Sequence, residues 1–139
     1  MPSSGEEFRY RQRIVIAHDG RPFLAYHARA WLVDVDGSPT RPAFRESGFW
    51  RPGAGPDDVE LVVADAAGLV EVFTGEAGDS HWELRTEAVV GTGTARDVVA
   101  ERRLYAVVEN TLLYASELDT GRGLAPHLNA RLIRELGSP

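Results

Sequence analysis

One histidine near the end of the sequence has the residue type and the setting for metal chemistry. His127 follows Pro126 within GLAPHLNARLIR at residues 123–134, among apolar residues and arginines. A neutral imidazole is the commonest side-chain metal ligand. An ordinary structural or surface histidine is the competing interpretation, since a single polar residue most often lies at the surface.

Familiar catalytic motifs are missing from the sequence. It contains no phosphate-binding glycine loop, no histidine pair at helical ligand spacing and no serine nucleophile elbow. Glu46, Glu60 and Glu71 are interpreted as scattered strand carboxylates, because nothing in the sequence places two of them across a cleft. His18 in a turn and His81 at a strand start are expected to be exposed.

Composition limits the classes of function. The 139 residues suit one domain over 1–139, and 43% apolar residues are typical of a globular chain. The absence of cysteine excludes thiolate sites and disulfides, and the net charge of −6 argues against nucleic-acid binding. No apolar run is long enough to cross a bilayer, and the opening residues lack a signal-peptide core. We therefore expect a cytoplasmic protein without a membrane partner.

The elements that must position His127 are predicted to be strands. Short runs rich in Val, Ile and aromatic residues recur about every dozen residues between Gly, Pro and Asp turns, a spacing typical of antiparallel β-structure. The predicted strands are 6–17, 22–33, 41–51, 58–64, 69–75, 81–90, 96–108, 111–118 and the final run. Leu128, Leu132 and Leu136 would also suit a helix, but the all-β context favours a strand for at least the first half of that run.

Consecutive hairpins in a small all-β chain favour closure into an up-and-down antiparallel barrel, since closure removes unpaired edges. A barrel of this size can hold one small apolar ligand. The residues alone predict a barrel with a possible cavity and leave its ligand open.

Eight short motifs, in this order and spacing, resemble the nitrobindin family. They are RPFLAY at 21–26, RESGFWR at 45–51, VELV at 59–62, GLVEV at 68–72, ARDV at 95–98, RLY at 103–105, LLY at 112–114 and HLNARLIR at 127–134. The resemblance implies a barrel like those of lipocalins and fatty-acid-binding proteins, with nine or ten strands. It also implies a ferric haem b held by His127, nitric oxide binding, and isomerisation of peroxynitrite to nitrate.

The sequence departs from the family pattern at several positions. The Gly-x-Trp-x-Gly-x-Gly strand that usually opens the family is not found before Phe8, so that strand is expected to be absent. Phe44 stands where many relatives have a distal histidine, Leu118 where they have methionine, and Arg96 where they have lysine. Without a distal hydrogen-bond donor, bound O₂ is poorly stabilised.

The resemblance assigns roles to these residues. His127 is expected opposite an open iron position enclosed by Ala43, Phe44 and Leu118, and Arg96 is expected to pair with a haem propionate. His27 is the alternative iron ligand if the strand register differs. Tyr105 and Tyr114 are expected to pack in the core.

Two other functions remain open at this point. One is a haem-free carrier barrel for a fatty acid or another small apolar ligand. The other is an interaction module that forms a homodimer, or meets another partner, through an open sheet edge.

Overall fold

The computed structural model describes residues 10–18 and 20–133, and nine strands account for most of them. They are β1 (Tyr10–Ala17), β2 (Leu24–Val33), β3 (Pro39–Pro52), β4 (Asp58–Asp65), β5 (Leu69–Ala77), β6 (His81–Gly91), β7 (Ala100–Val108), β8 (Thr111–Asp119) and β9 (Leu124–Ile133). The first four residues of the predicted strand 6–17, and the end of the motif at 127–134, lie outside the described residues. In the described part of the chain, no helix is long and apolar enough to span a membrane.

The strands form one antiparallel sheet in chain order from β1 to β9, so each strand pairs with its neighbours in sequence. The sheet curls into a nearly closed barrel, which confirms the predicted all-β architecture. Within the described residues no ladder joins β1 to β9, although the Tyr10 hydroxyl donates a hydrogen bond to the Asn129 carbonyl across this gap.

One strand begins later than the sequence predicts, and the final strand decides a prediction that the sequence left open. The strand predicted to begin at residue 96 begins at Ala100, because residues 96–99 form a loop whose Val99 amide donates to the Asp119 carbonyl. The ambiguous final run is a strand, paired with β8 from Leu124 to Ile133. This pairing overrides the helical spacing of Leu128 and Leu132, whereas Leu136 lies outside the described residues.

The core lies inside the barrel and follows the period-2 alternation of each strand. In β2, Tyr26 and Ala28 are buried while His27 between them is exposed. The core consists of Tyr26, Ala28, Leu61, Val63, Phe73, Leu84, Tyr105 and Tyr114. The prediction that Tyr105 and Tyr114 pack in the core is confirmed.

Register shifts interrupt this alternation at several points, and the two that bear on the site, in β3 and β9, each directly follow a proline in the chain. In β3, Phe44 pairs with Ala30 and Pro42 pairs with Trp31, so Ala43 is the extra residue. In β9, the corresponding extra residue is His127, between the paired residues Pro126 and Leu128. Proline cannot donate to a ladder and is often found at bulges, which kink the strand and redirect a side chain.

Candidate functional site

A cavity of about 420 Å³ collects the residues that the sequence singled out. It is lined by residues of β3, β4, β5, β7, β8 and β9, of the turn between β4 and β5, and of the loop before β7. His127, Phe44, Ala43, Leu118 and Arg96 all contribute to its wall. We call it the His127 cavity.

The bulges explain how neighbouring residues can share this wall. In a regular strand, adjacent side chains point to opposite faces. At the bulges, Ala43 and Phe44 both line the cavity, and so do His127 and Leu128. The imidazole is therefore aimed into the cavity by a local irregularity of β9.

The environment of His127 keeps its imidazole neutral. Burial lowers its pKa to about 4, and the positive charges of Arg96 and Arg103 act in the same direction. Arg96 Nη2 lies 3.4 Å from His127 Nε2. Since a guanidinium can only donate, Nε2 is the acceptor and the ring proton belongs on Nδ1. Nε2 thus carries the lone pair that a metal ligand needs.

Apolar side chains form part of the wall of the His127 cavity. Phe44 and Leu118 are half-buried, and the bulge residue Ala43 lies beside Phe44 in the same wall. None of these three can donate a side-chain hydrogen bond to a bound ligand.

The other histidines lie elsewhere. His27 is exposed on the outer face of β2, where its Nδ1 is hydrogen-bonded to the Ser47 hydroxyl. His18 and His81 are exposed as expected, and none of the three lines the His127 cavity. The alternative assignment of His27 as the ligand is therefore wrong for this register.

The residues present fit an iron porphyrin. Haem iron is commonly held by one protein histidine, because the porphyrin supplies the equatorial ligands itself. A neutral imidazole with an available lone pair meets that need, and apolar walls suit the ring. The cavity volume also falls within the range of cofactor pockets.

The sequence interpretation missed a buried polar group on the same cavity, here called the Arg103 cluster: Glu46, Glu71, Glu101 and Arg103. Each of the four is 3–5% exposed, and all four line the His127 cavity. The interpretation of Glu46 and Glu71 as scattered carboxylates is thus wrong, because barrel closure brings β3 and β5 to the same arginine. Glu60 is separate from them and pairs with Arg51.

The Arg103 cluster has an asymmetric geometry. Arg103 binds Glu46 with two short bonds of 2.6 and 2.8 Å, and Glu101 with two of 3.0 and 3.2 Å. Glu71 is more distant, with 4.0 Å between Arg103 Nη2 and Glu71 Oε1. Bidentate guanidinium–carboxylate pairs are strong, so Glu46 and Glu101 hold the arginine.

Ionisation follows that geometry. Burial opposes the charge on Glu46, but the charge and hydrogen bonds of Arg103 outweigh it and hold its pKa below the ordinary value. For Glu71, burial and then the hydrogen bond and charge of Glu101 raise the pKa to about 9. At neutral pH the Glu71 carboxyl group is therefore neutral.

One sequence signal could have located this cluster. Tyr105 was predicted to be in the core, and Glu101 and Arg103 share its parity within β7. Charged residues at inward positions are rare unless they are paired. The partners of Arg103 on β3 and β5 could not be found in this way.

A second cavity, of about 560 Å³, is lined almost entirely by apolar residues and is called the apolar cavity. Trp50, Trp82 and Leu112 are among its walls, together with Tyr26 and Tyr105. The Tyr26 hydroxyl donates to Glu46 at 2.9 Å, and Arg103 donates to the Tyr105 hydroxyl at 3.3 Å. These bonds connect the walls of the two cavities.

Fold and site together define a lipocalin-like β-barrel whose cavity presents a single neutral histidine. Residues 1–134 match the family described as "THAP4-like, heme-binding beta-barrel domain". The chain belongs to this family of haem-binding barrel domains, and its predicted membership is confirmed.

Curated relatives and a solved structure agree with this assignment. A peroxynitrite isomerase of Salinispora arenicola is 48% identical over 134 residues, covering 93% of this chain and 68% of the relative. A ferric nitrobindin-like protein of Saccharopolyspora erythraea is 44% identical, covering 98% of this chain and 65% of the relative. The crystal structure of Rv2717c from M. tuberculosis has a TM-score of 0.79 and 32% identity, covering 92% of this chain and 81% of that one.

Proposed function

We propose that this chain holds a ferric haem b in the His127 cavity, binds nitric oxide there, and isomerises peroxynitrite to nitrate. The observation that carries the proposal is the neutral imidazole of His127, aimed by a β-bulge into an apolar-walled cavity. Family membership and the relatives named as peroxynitrite isomerases support it. The haem would supply a ferric centre that accepts an anionic or neutral nitrogen oxide.

The side chains of the cavity have separate roles in this proposal. His127 Nε2 would hold the iron, and the apolar side chains of Ala43, Phe44 and Leu118 would exclude water from the cavity and keep reactive fragments confined. Arg96 must release Nε2 before that lone pair can bind a metal. Its guanidinium is then free to pair with a haem propionate.

Hemin titration with two histidine variants tests the ligand assignment. The wild-type chain should give a sharp Soret band that His127→Ala abolishes. His27→Ala, which removes an exposed histidine outside the cavity, should leave the band unchanged. A broad absorbance that is the same in wild type and His127→Ala contradicts the proposal.

The reaction itself is tested by stopped-flow decay of peroxynitrite with quantification of nitrate and nitrite. The haem-loaded wild type should accelerate decay and raise the share of nitrate. If the haem-loaded protein neither accelerates decay nor raises the share of nitrate but still binds nitric oxide, its function is limited to binding.

The apolar cavity favours a second candidate function, a carrier of a fatty acid or similar molecule. Its walls are mainly apolar, and His18, Arg21 and Arg51 are their basic members. A fluorescent fatty-acid probe should bind the wild type and be excluded by Leu112→Trp, which fills the cavity. Hemin should titrate equally into both proteins, because Leu112 does not line the His127 cavity.

For partners and location we propose the small molecules named above, a homodimer and the cytoplasm. In the described part of the chain, β1 and β9 share no ladder, and a second copy could pair with these edges. Size-exclusion chromatography with light scattering tests the dimer, and a monomeric mass at high concentration contradicts it. Cell fractionation tests the location.

A further inference from the structure

A row of arginines crosses β1, β2 and β3. In the two ladders that join these strands, Arg13 lies directly opposite Arg29, and Arg29 lies directly opposite Arg45. Like charges directly opposite each other in a sheet are destabilising. Natural proteins break such local rules mainly at functional sites, so this row is a candidate for a role in binding.

The row belongs to the basic part of an acidic chain. Residues 10–52 contain seven arginines and four acidic residues, although the whole chain has a net charge of −6. Glu46 is buried and bonded to Arg103. Asp34 and Asp36 accept backbone hydrogen bonds within the turn between β2 and β3. Three of the four acidic residues are thus engaged elsewhere.

The row borders a groove of about 480 Å³ beside this turn, here called the arginine groove. Arg29, Arg41 and Arg45 are exposed and contribute to its walls. Among the described residues, no acidic side chain lines the groove, and none of the three arginines forms an ion pair. The Arg29 guanidinium lies over the Trp31 ring, 5.4 Å from its centroid, and this contact restrains it.

Irregular strand pairing explains how the groove is lined. The ladder between β2 and β3 shifts its register twice between Ala30 and Val33. Pro39 and Pro42 of β3 cannot donate hydrogen bonds to this ladder. The exposed Arg29 and the buried Ala30, which are neighbours in β2, line the same groove. Charged walls are thereby combined with an apolar floor.

Arginines on the exposed face of β6 and β7 differ from those of the groove. Arg85 lies 3.2 Å from Glu83, and Arg102 lies 2.7 Å from Glu83 and 3.1 Å from Glu117. Opposite charges meet across the strands there, which favours the sheet. The accumulation of positive charge is therefore a local property of the arginine groove.

The arginine groove adjoins the His127 cavity. Pro42, Phe44 and Arg45 line both of them. Clefts lined by charge of one sign raise the local concentration of the opposite ion and its association rate, by about 10-fold to 1,000-fold. An anion held in the groove would lie next to the cavity.

We propose that the arginine groove binds small inorganic anions, such as nitrate, and passes them to the His127 cavity. Arg29 and Arg41 supply the attraction, and Arg45 lies where the groove meets the cavity. Guanidinium groups suit this class of ligand, because their donors match the geometry of an oxyanion. The passage rests on the proposed function, in which the cavity takes up an anionic nitrogen oxide, whereas anion binding in the groove does not.

Two double substitutions that change the net charge equally separate the groove from the overall charge. The groove variant combines Arg29→Gln and Arg41→Gln and leaves Arg45, which also lines the His127 cavity. The control variant combines Arg85→Gln and Arg131→Gln, because both arginines are exposed and line neither the groove nor that cavity. Urea unfolding first establishes that both variants fold.

Nuclear magnetic resonance of the haem-free proteins tests anion binding. Sodium nitrate replaces sodium fluoride at constant ionic strength while the Trp31 indole signal is followed. Wild type and the control variant should show a saturable shift, and the groove variant should lose it. The absence of a saturable shift in wild type, or a shift of the same size in the groove variant, overturns the proposal.

Stopped-flow association with the haem-loaded proteins tests passage to the cavity. Above neutral pH azide is an anion, whereas nitric oxide is neutral. In dilute salt, azide should associate with the groove variant about tenfold more slowly than with wild type, and its rate should depend less on salt. Nitric oxide should associate equally with both, and the control variant should match wild type with both ligands.

The possible failures are distinguishable. Saturable nitrate binding together with equal azide rates in wild type and the groove variant overturns the passage of anions. Equal losses of rate in the groove and control variants also overturn it, because net charge then accounts for the effect. If hemin does not bind through His127, the proposed function and the passage both fail, whereas the nitrate titration still decides whether the groove binds anions.

Discussion

The His127 cavity and the apolar cavity occupy one barrel but differ in chemistry. The first presents a neutral histidine and the buried Arg103 cluster, whereas the second is lined mainly by aromatic and aliphatic side chains. Tyr26 and Tyr105 belong to the second cavity, and their hydroxyls bond to Glu46 and Arg103 of the first. The polar and apolar halves of the interior therefore meet at these two tyrosines.

This difference shows how one barrel can carry a reactive site. The rings of Trp50 and Tyr105 pack edge-on with 5.2 Å between their centroids and provide apolar burial. The Arg103 cluster contributes little apolar burial. The attraction within a buried ion pair offsets the cost of its desolvation only when its polar atoms are fully hydrogen-bonded. Its retention beside the His127 cavity is consistent with a role in function more than in stability.

The largest expected effect comes from removing the central cation of the cluster. Arg103→Met leaves Glu46 and Glu101 buried without a counter-charge and should lower the free energy of unfolding by about 3–5 kcal/mol. Arg102→Met is the control, since Arg102 lies on the exposed face of β7 with Glu83 and Glu117. Urea unfolding of the two variants checks this, and equal losses would contradict a special role for the buried pair.

The pH dependence of stability should be the next largest effect. The pKa of Glu71 is raised from 4.5 to about 9 in the folded state, so between these values the folded protein holds a proton that the unfolded chain has released. Stability contributed by this proton is present below pH 4.5 and is lost as the pH rises toward 9. The loss should exceed about 1 kcal/mol.

Glu71→Gln checks the origin of that dependence. Its unfolding free energy should change less between pH 5 and 9 than that of wild type. A decline of the same size in both proteins would assign the effect to other groups.

A smaller effect is expected from restoring a donor to the wall of the His127 cavity. Phe44→His supplies a hydrogen bond of about 1 kcal/mol and should slow O₂ dissociation from the ferrous haem protein by about fivefold. Phe44→Leu, which keeps the wall apolar, should remain within about twofold of wild type. Flash photolysis measures both rates, and equal rates for the two variants would place residue 44 away from the ligand.

The smallest expected effect concerns the exposed arginine beside His127. Arg96→Gln should weaken hemin affinity by about threefold, because exposed ion pairs contribute little. It should also raise the pKa of His127 from about 4 toward its ordinary value, since the charge of Arg96 is one of the causes of the depression. Hemin titration and NMR titration of the imidazole measure these changes. Arg45→Gln, another exposed arginine of the cavity, should change neither.

Much of the molecule was predictable from local pattern. The alternation of apolar residues and the regular turns predicted the strands, their meander and the core positions of Tyr105 and Tyr114. The order of the motifs predicted the family. The resemblance to that family then singled out five residues that the structure brings to one cavity. His127 as haem ligand remains a proposal, whereas its position on the cavity wall is observed.

What the sequence by itself determined was the succession of strands and turns and the period of two along each regular strand, because that period is a local property of the backbone. Only the tertiary structure decided that Glu46, Glu71 and Glu101 surround one arginine, since barrel closure brings together strands far apart in the chain. It also decided the directions of Ala43 and His127. Pro42 and Pro126 hint at irregularities, but the direction of a bulged side chain depends on the pairing of the neighbouring strand.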